Sequence, residues 1–325
     1  MKLGKPLLLA VLLVALLPPT AHATPLVKRV KIHYRAHNGV ARAAYILLPA
    51  WYGPRNHPPI PLVISPHGRG LNGLSNSRIW GALPAVGQFA VVSPDGMGRV
   101  LDRYSWGSYG QIEDLAKMPK IVHLALPWLT VDPDRVYAFG GSMGGQETLL
   151  LLARHPKLLA GAAVFDAVTD FARQYRRFPD LGCTAGCRKT WKGSLGRSLQ
   201  QLARREIGAS PKKAPAAWKE RSPITYAGAI ARSCVPLQLW WSTKDKIVLD
   251  QQHQSQKLFD ELRRLNPQAP VSAYVGWWRH SAEMHAKNRL PLALTTFGLL
   301  PPEHESFGRS PLKIIPAASQ WCAAR

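Results

Sequence analysis

The chain has 325 residues, 46% of them hydrophobic, and carries 42 Lys and Arg against 19 Asp and Glu, a formal net charge of +23. That length suits one large domain with an insertion. The positive balance favours solubility or contact with anionic surfaces such as cell-wall polymers, acidic lipids or acidic polysaccharides, and nucleic acid is not the expected partner.

At the amino end, Lys2 and Lys5 precede an apolar run at 7–17, and Ala21-His22-Ala23 offers the small residues that a signal peptidase reads. The run is shorter than the roughly 20 residues of a membrane span. No cysteine follows it to take a lipid anchor. The expectation is a cleaved signal at 1–23, a secreted or periplasmic setting and a domain at 24–325 with no transmembrane segment; an uncleaved anchor helix is the alternative. An oxidising compartment permits disulfides. The four cysteines allow three pairings, of which Cys183 with Cys187 and Cys234 with Cys322 is preferred. No histidine pair stands near them, so zinc is not expected.

Runs at 27–35 and 40–48, joined through Asn38-Gly39, read as a β-hairpin. Short apolar runs at 61–65 and 89–93 read as buried strands, the first ending in Pro66-His67-Gly68-Arg69-Gly70. A helix is expected within 75–86 and another over 112–129. Asp132-Pro133-Asp134 then reads as a turn into a strand at 135–139. A helix at 146–154 and a strand at 159–165 follow. From 168 to 233 the pattern weakens and basic residues dominate, which reads as an inserted cap over the site. Its alternative is a solvated basic decoration. Order returns with strands at 235–241 and 271–277, a helix at 251–265 and another at 282–297; the tail from 300 to 325 is expected to be irregular. Strands alternating with helices predict an α/β fold, a mostly parallel sheet with helices on both faces and an antiparallel edge. Ligands of such sheets bind beyond the carboxyl ends of the strands.

Gly140-Gly141-Ser142-Met143-Gly144 lies between the 135–139 strand and the following helix. Gly-x-Ser-x-Gly at such a turn holds a serine hydroxyl exposed on a strained backbone, with glycines where the chain passes close by. A serine hydroxyl needs a base, and the base an orienting acid, here in the chain order serine, acid, histidine. Asp245 and His280 follow the next two strands at matching positions. His285 is the competing base, although a helical position suits it less; His155 and His253 read as surface residues. Asp166 and Asp170 compete as the acid, and Asp250 reads as a helix cap. Oxyanion donors are expected from the backbone N–H of Met143 and from the turn, Arg69 first and Gly68 next, with His67 fixing that turn. No cofactor is needed for such a site.

The elbow at 140–145, Pro66-His67-Gly68, Asp245 and His280 resemble the α/β-hydrolase superfamily. Asp132-Pro133-Asp134-Arg135-Val136-Tyr137 and Asp245-Lys246-Ile247-Val248 are most similar to prolyl-oligopeptidase-like serine peptidases and to secreted feruloyl and polyhydroxyalkanoate esterases. The resemblance spans roughly 62–298 apart from the cap. It implies an α/β-hydrolase fold and an acyl-enzyme mechanism on an ester or small peptide bond, with Ser142 as nucleophile, Asp245 as acid, His280 as base and Met143 as oxyanion donor. Prolyl-oligopeptidase-like peptide cleavage is the alternative activity, and a non-catalytic binder of anionic surfaces the alternative of another class.

Overall fold

The computed structural model describes residues 26–181, 195–302, 311–319 and 322, so the expected signal and the Cys183 and Cys187 pair lie outside the described residues. In chain order its strands are β1 (Val27–Arg35), β2 (Ala41–Pro49), β3 (Ile60–Ile64), β4 (Ala90–Pro94), β5 (Val131–Gly141), β6 (Gly161–Phe165), β7 (Leu237–Ser242), β8 (Val271–Gly276) and β9 (Leu312–Ile315). They form one sheet ordered β1-β2-β4-β3-β5-β6-β7-β8-β9. The pairs from β4 through β3, β5, β6 and β7 to β8 are parallel; β1 with β2, β2 with β4, and β8 with β9 are antiparallel. This is the α/β arrangement expected from the alternation of elements, including the leading hairpin.

Central strands β3, β4, β6 and β7 are buried along their whole length, as their uninterrupted apolar runs require. Alternation along β5 divides the two faces. Val136 and Ala138 join a core with Leu62, Leu149, Leu239 and Leu258, while Tyr137 and Phe139 join one with Val63, Phe165, Trp80 and Trp240. In the second core Trp240 stacks on Tyr274 with ring centroids 3.9 Å apart and on Phe165 at 5.2 Å. Full burial of side chains such as Phe contributes roughly 1.5–3 kcal/mol each, which fixes the ends of β6 and β7 side by side.

Several expected elements differ in detail. The helix at 75–86 is broken into Gly73–Ser77, a 3-10 turn Arg78–Trp80 and Leu83–Val86, with Gly81 at φ 50° between them. The helix at 112–129 is two, Tyr109–Ala116 and Met118–Ala125, the second opened by Pro119. Asp132-Pro133-Asp134 lies inside β5, where the pairing skips from Ile60↔Val131 to Leu62↔Val136; the turn signal marks an irregularity in the strand. Only Leu290–Thr296 of the expected 282–297 helix is helical. The tail is not irregular throughout, because Leu312–Ile315 pairs with β8 from Gly276↔Leu312 to Ala273↔Ile315. A Cys234–Cys322 disulfide, across a sequence separation of 88, holds that end of the chain.

The insertion between β6 and β7 also ends earlier than expected. Phe171–Arg177, Leu195–Ile207 and Pro215–Glu220 pack around a third apolar cluster that includes Trp106, Met143, Phe171, Phe178 and Trp218. Helix Ala227–Ser233 instead buries Ala227, Ile230 and Ala231, at helical spacing, in the main core. It belongs to the layer that flanks the sheet.

Candidate active site

Ser142 joins β5 to helix Met143–Arg154 at φ 57° and ψ −123°, a conformation that costs about 1–3 kcal/mol in a non-glycine residue. Its N–H donates to Phe165 O at the end of β6 (2.8 Å), and its carbonyl accepts from Gln146 N–H (3.0 Å). The flanking glycines answer to close approach. A Cβ on Gly140 would lie 2.2 Å from Gly144 O, and one on Gly144 would lie 2.3 Å from Pro66 O. The turn after β3 is thereby pressed against the start of the helix.

His67 holds that turn. Gly96 N–H donates to His67 Nε2 (2.7 Å), so the ring carries its proton on Nδ1 and donates it to Gly68 O (2.7 Å). Burial keeps the imidazole below the usual histidine range, in line with this neutral form. The Cβ position of Gly68 is 3.9 Å from Ser142 Cβ. Among the described residues neither Gly68 nor Arg69 N–H has a partner. Met143 N–H belongs to the first turn of its helix, where N–H groups lack intrahelical acceptors.

Beyond β7, the Asp245 carboxylate is almost wholly buried and faces His280, with Oδ2 2.8 Å from Nδ1. Its Oδ1 accepts from Ile247 N–H (2.8 Å) and Val248 N–H (3.1 Å), and Gln251 Nε2 donates to Oδ2 (3.2 Å). One cavity of about 290 Å³ is lined by Gly68, Arg69, Ser142, His280, Met284 and His285, among others. Ser142 and His280 are therefore brought to the same space, with Asp245 behind the imidazole.

Asp166, the competing acid, has partners of its own. It stands at φ 48° after β6, fully buried, and accepts N–H groups from Ser242 (2.7 Å), Trp278 Nε1 (2.9 Å) and Ser281 (2.7 Å). Burial, and after it the charge of Asp245, raises its pKa to about 6, against the pull of His280 and the N–H donors. Ser242 adds a reciprocal pair, accepting Trp278 N–H (3.0 Å) and donating to Trp278 O (2.7 Å). Together they tie the segment that carries His280 to the ends of β6 and β7. The only hint in the sequence was an acid directly after a buried strand.

His285 lies in the turns before Leu290–Thr296, not in a helix, and reaches the cavity that Ser142 lines. Burial, then Lys287, lowers its pKa. His155 pairs with Glu113 (2.8 Å), and His253 is exposed. Asp170 caps helix Phe171–Arg177 through Arg173 N–H (2.8 Å), and Asp250 pairs with Arg173 and Arg177. Lys244 and Lys246, beside Asp245, border a neighbouring groove with Trp277 and Arg279. Among the described residues, none from 168 to 233, the range expected to form a cap, lines the cavity of Ser142. Glu147, on the helix after Ser142, is fully buried against Ser105 Oγ, and burial raises its pKa to about 8.

Asp166, Asp245 and His280 form the one cluster of metal-binding residue types found among the described residues, with donor atoms within 4.8 Å of one another. Both oxygens of each carboxylate already accept hydrogen bonds, and His280 Nδ1 faces Asp245, so the set fits an imidazole relay better than an ion.

No family model and no curated protein matches the sequence. The fold has many counterparts among solved structures. The chain is similar to the acylaminoacyl peptidase of Pyrococcus horikoshii (TM-score 0.61, 14% identity), over 83% of this chain and 41% of that one. It is similar to the fluorophosphonate-binding serine hydrolase F of Staphylococcus aureus (TM-score 0.57, 16% identity), over 84% and 98%. It is also similar to an esterase of Pyrobaculum calidifontis (TM-score 0.56, 16% identity), over 79% and 76%. The chain has the α/β-hydrolase fold, and it spans less than half the length of the first of these structures. No helix among the described residues is long and apolar enough to cross a membrane.

Proposed function

We propose that the protein is a secreted serine hydrolase that cleaves a carboxylic ester or a small peptide bond through an acyl-enzyme. The observation that carries this reading is the His280 Nδ1 to Asp245 Oδ2 hydrogen bond of 2.8 Å at the wall of the cavity that Ser142 lines. Asp245 keeps Nδ1 protonated, which leaves Nε2 to take the Ser142 proton as Oγ attacks the carbonyl carbon. The tetrahedral oxygen is held by Met143 N–H and an N–H of the 68–69 turn. The imidazolium returns the proton to the leaving alkoxide or amine, and a water molecule repeats the sequence to free the acid. Loss of one oxyanion donor costs about 3 kcal/mol of transition-state stabilisation.

The Cys234–Cys322 disulfide supports an oxidising compartment, and with it the signal at 1–23. The net charge of +23 is compatible with contact with an anionic surface. Likeness of fold to an acylaminoacyl peptidase favours peptidase activity as a second reading. Turnover of short 4-nitrophenyl esters and of a proline-amide reporter, compared in wild type and Ser142→Ala, tests both. Ester turnover lost in the variant is the expected result. Amide turnover adds the peptidase, and inertness on every reporter leaves the non-catalytic binder.

A further inference from the structure

The cavity shared by Ser142 and His280 holds a permanent charge without a counter-ion. Arg69 lines it, partly buried, and among the described residues its guanidinium has no hydrogen bond or ion pair. Several other arginines drawn into the fold are matched by carboxylates. Arg221 lies 3.5 Å from Glu206, and Arg173 and Arg177 share Asp250 at 3.2 and 2.9 Å. Burial disfavours the charged form of Arg69, and only Tyr104 opposes this. A guanidinium cannot relieve that cost by losing its proton, so it is stabilised by whatever anion enters. Among the described residues the other titratable groups of the cavity are His280 and His285, and no carboxylate lines it. Asp245 is turned away, its oxygens taken by Ile247, Val248, Gln251 and His280.

Position decides which part of a substrate meets this charge. An acyl group bonded to Ser142 Oγ must lie in the cavity that Ser142 lines. The groove of Lys244, Lys246, Trp277 and Arg279 borders His280 but not Ser142, so it suits the departing group. At about 290 Å³ the cavity stands at the lower end of small-molecule sites and fits a short chain. A planar guanidinium matches a carboxylate with two parallel hydrogen bonds.

We propose that Arg69 is the specificity-determining residue of this site and that its guanidinium receives a carboxylate at the far end of a short acyl chain, making the substrate a monoester of a dicarboxylic acid. The proposal rests on the serine hydrolase reading. Ser142 Oγ bonds to the ester carbon as the carbon–oxygen bond to the alcohol breaks, and the serine proton leaves with the alcohol through His280. Water then cleaves the acyl-enzyme, giving the dicarboxylate and a proton.

The test compares kcat/KM for three 4-nitrophenyl esters of matched length: the hydrogen adipate, the hexanoate and the 6-(trimethylammonio)hexanoate. Wild type is expected to favour adipate over hexanoate by about tenfold or more, the scale of one charge-assisted contact. Arg69→Met should bring the ratio near one, and Arg69→Glu should turn the preference toward the cationic ester. Free adipate should inhibit wild-type hexanoate turnover more strongly than free hexanoate does, which needs no variant. A wild-type ratio near one, a ratio unmoved in Arg69→Met, or equal inhibition by the two acids overturns the proposal while the hydrolase stands. No turnover of any ester and no labelling by a fluorophosphonate overturns the hydrolase reading and the proposal with it.

Discussion

Near Ser142 two buried carboxylates are held by several groups, most of them backbone, whereas the insertion between β6 and β7 is held through its own side chains, among them an aromatic cluster, one buried carboxylate and the arginines that pair with Asp250. Asp245 and Asp166 together accept from four backbone N–H groups and three side chains. The insertion's counterpart is Glu206, which accepts the N–H groups of Arg99, Val100 and Leu101 and pairs with Arg221. Arg221 in turn donates to Ser105 O (2.8 Å), and Ser105 Oγ bonds Glu147 beneath the elbow. The strand ends beside the candidate site are over-determined by backbone donors, and the described part of the insertion is joined to the rest of the fold largely through side chains. Changes at the edge should appear in turnover and changes in the insertion should appear in stability.

The largest expected effect lies at the edge. Ser142→Ala or His280→Ala should lower kcat by about 10⁴-fold or more while the melting temperature stays close to wild type. Glu206→Ala breaks the comparison from the other side. It removes the counter-ion of Arg221, leaves three N–H groups unpaired and should cost about 3 kcal/mol in denaturant unfolding. Its kcat on a small ester should change far less. Asp166→Asn sharpens the contrast within the edge, because an amide cannot accept from Ser242, Trp278 and Ser281 together. The displaced His280 segment should reduce kcat by up to about a hundredfold with KM little moved, as steady-state kinetics would show.

The smallest effect sits between the two regions. Glu147 in the folded protein keeps its proton to about pH 8, while the unfolded chain gives it up near 4.5. The folded state thus binds more protons between these values. Its contribution is complete below about pH 4.5 and falls away as pH rises toward 8. Glu147→Gln cannot ionise, so its melting temperature should fall less than that of wild type between pH 5 and pH 8.5, read by calorimetry.

Short-range patterns made much of this legible. Asn38-Gly39 placed the hairpin, and the glycines around Ser142 placed the strand-to-helix turn with its positive φ. Asp245 and His280, each just beyond a strand, meet because β7 and β8 are parallel neighbours. Long-range pairing was not legible. Strand β9 is defined by β8, some 40 residues earlier, and Leu312-Lys313-Ile314-Ile315 has no alternation of its own. The clamp at Asp166 depends on N–H groups 76 to 115 residues away. Pro291, in the first turn of Leu290–Thr296, was the available sign that the last helix starts late and leaves His285 free to line the cavity.

Whether Ser142 is the nucleophile is tested by mass spectrometry of the purified protein after treatment with a fluorophosphonate, with the adduct mapped to its peptide. One adduct is expected, on Ser142, and none in folded Ser142→Ala or in heat-denatured protein. Folded wild type that takes no adduct, or takes it on another residue while Ser142→Ala keeps its turnover, would contradict this role of Ser142.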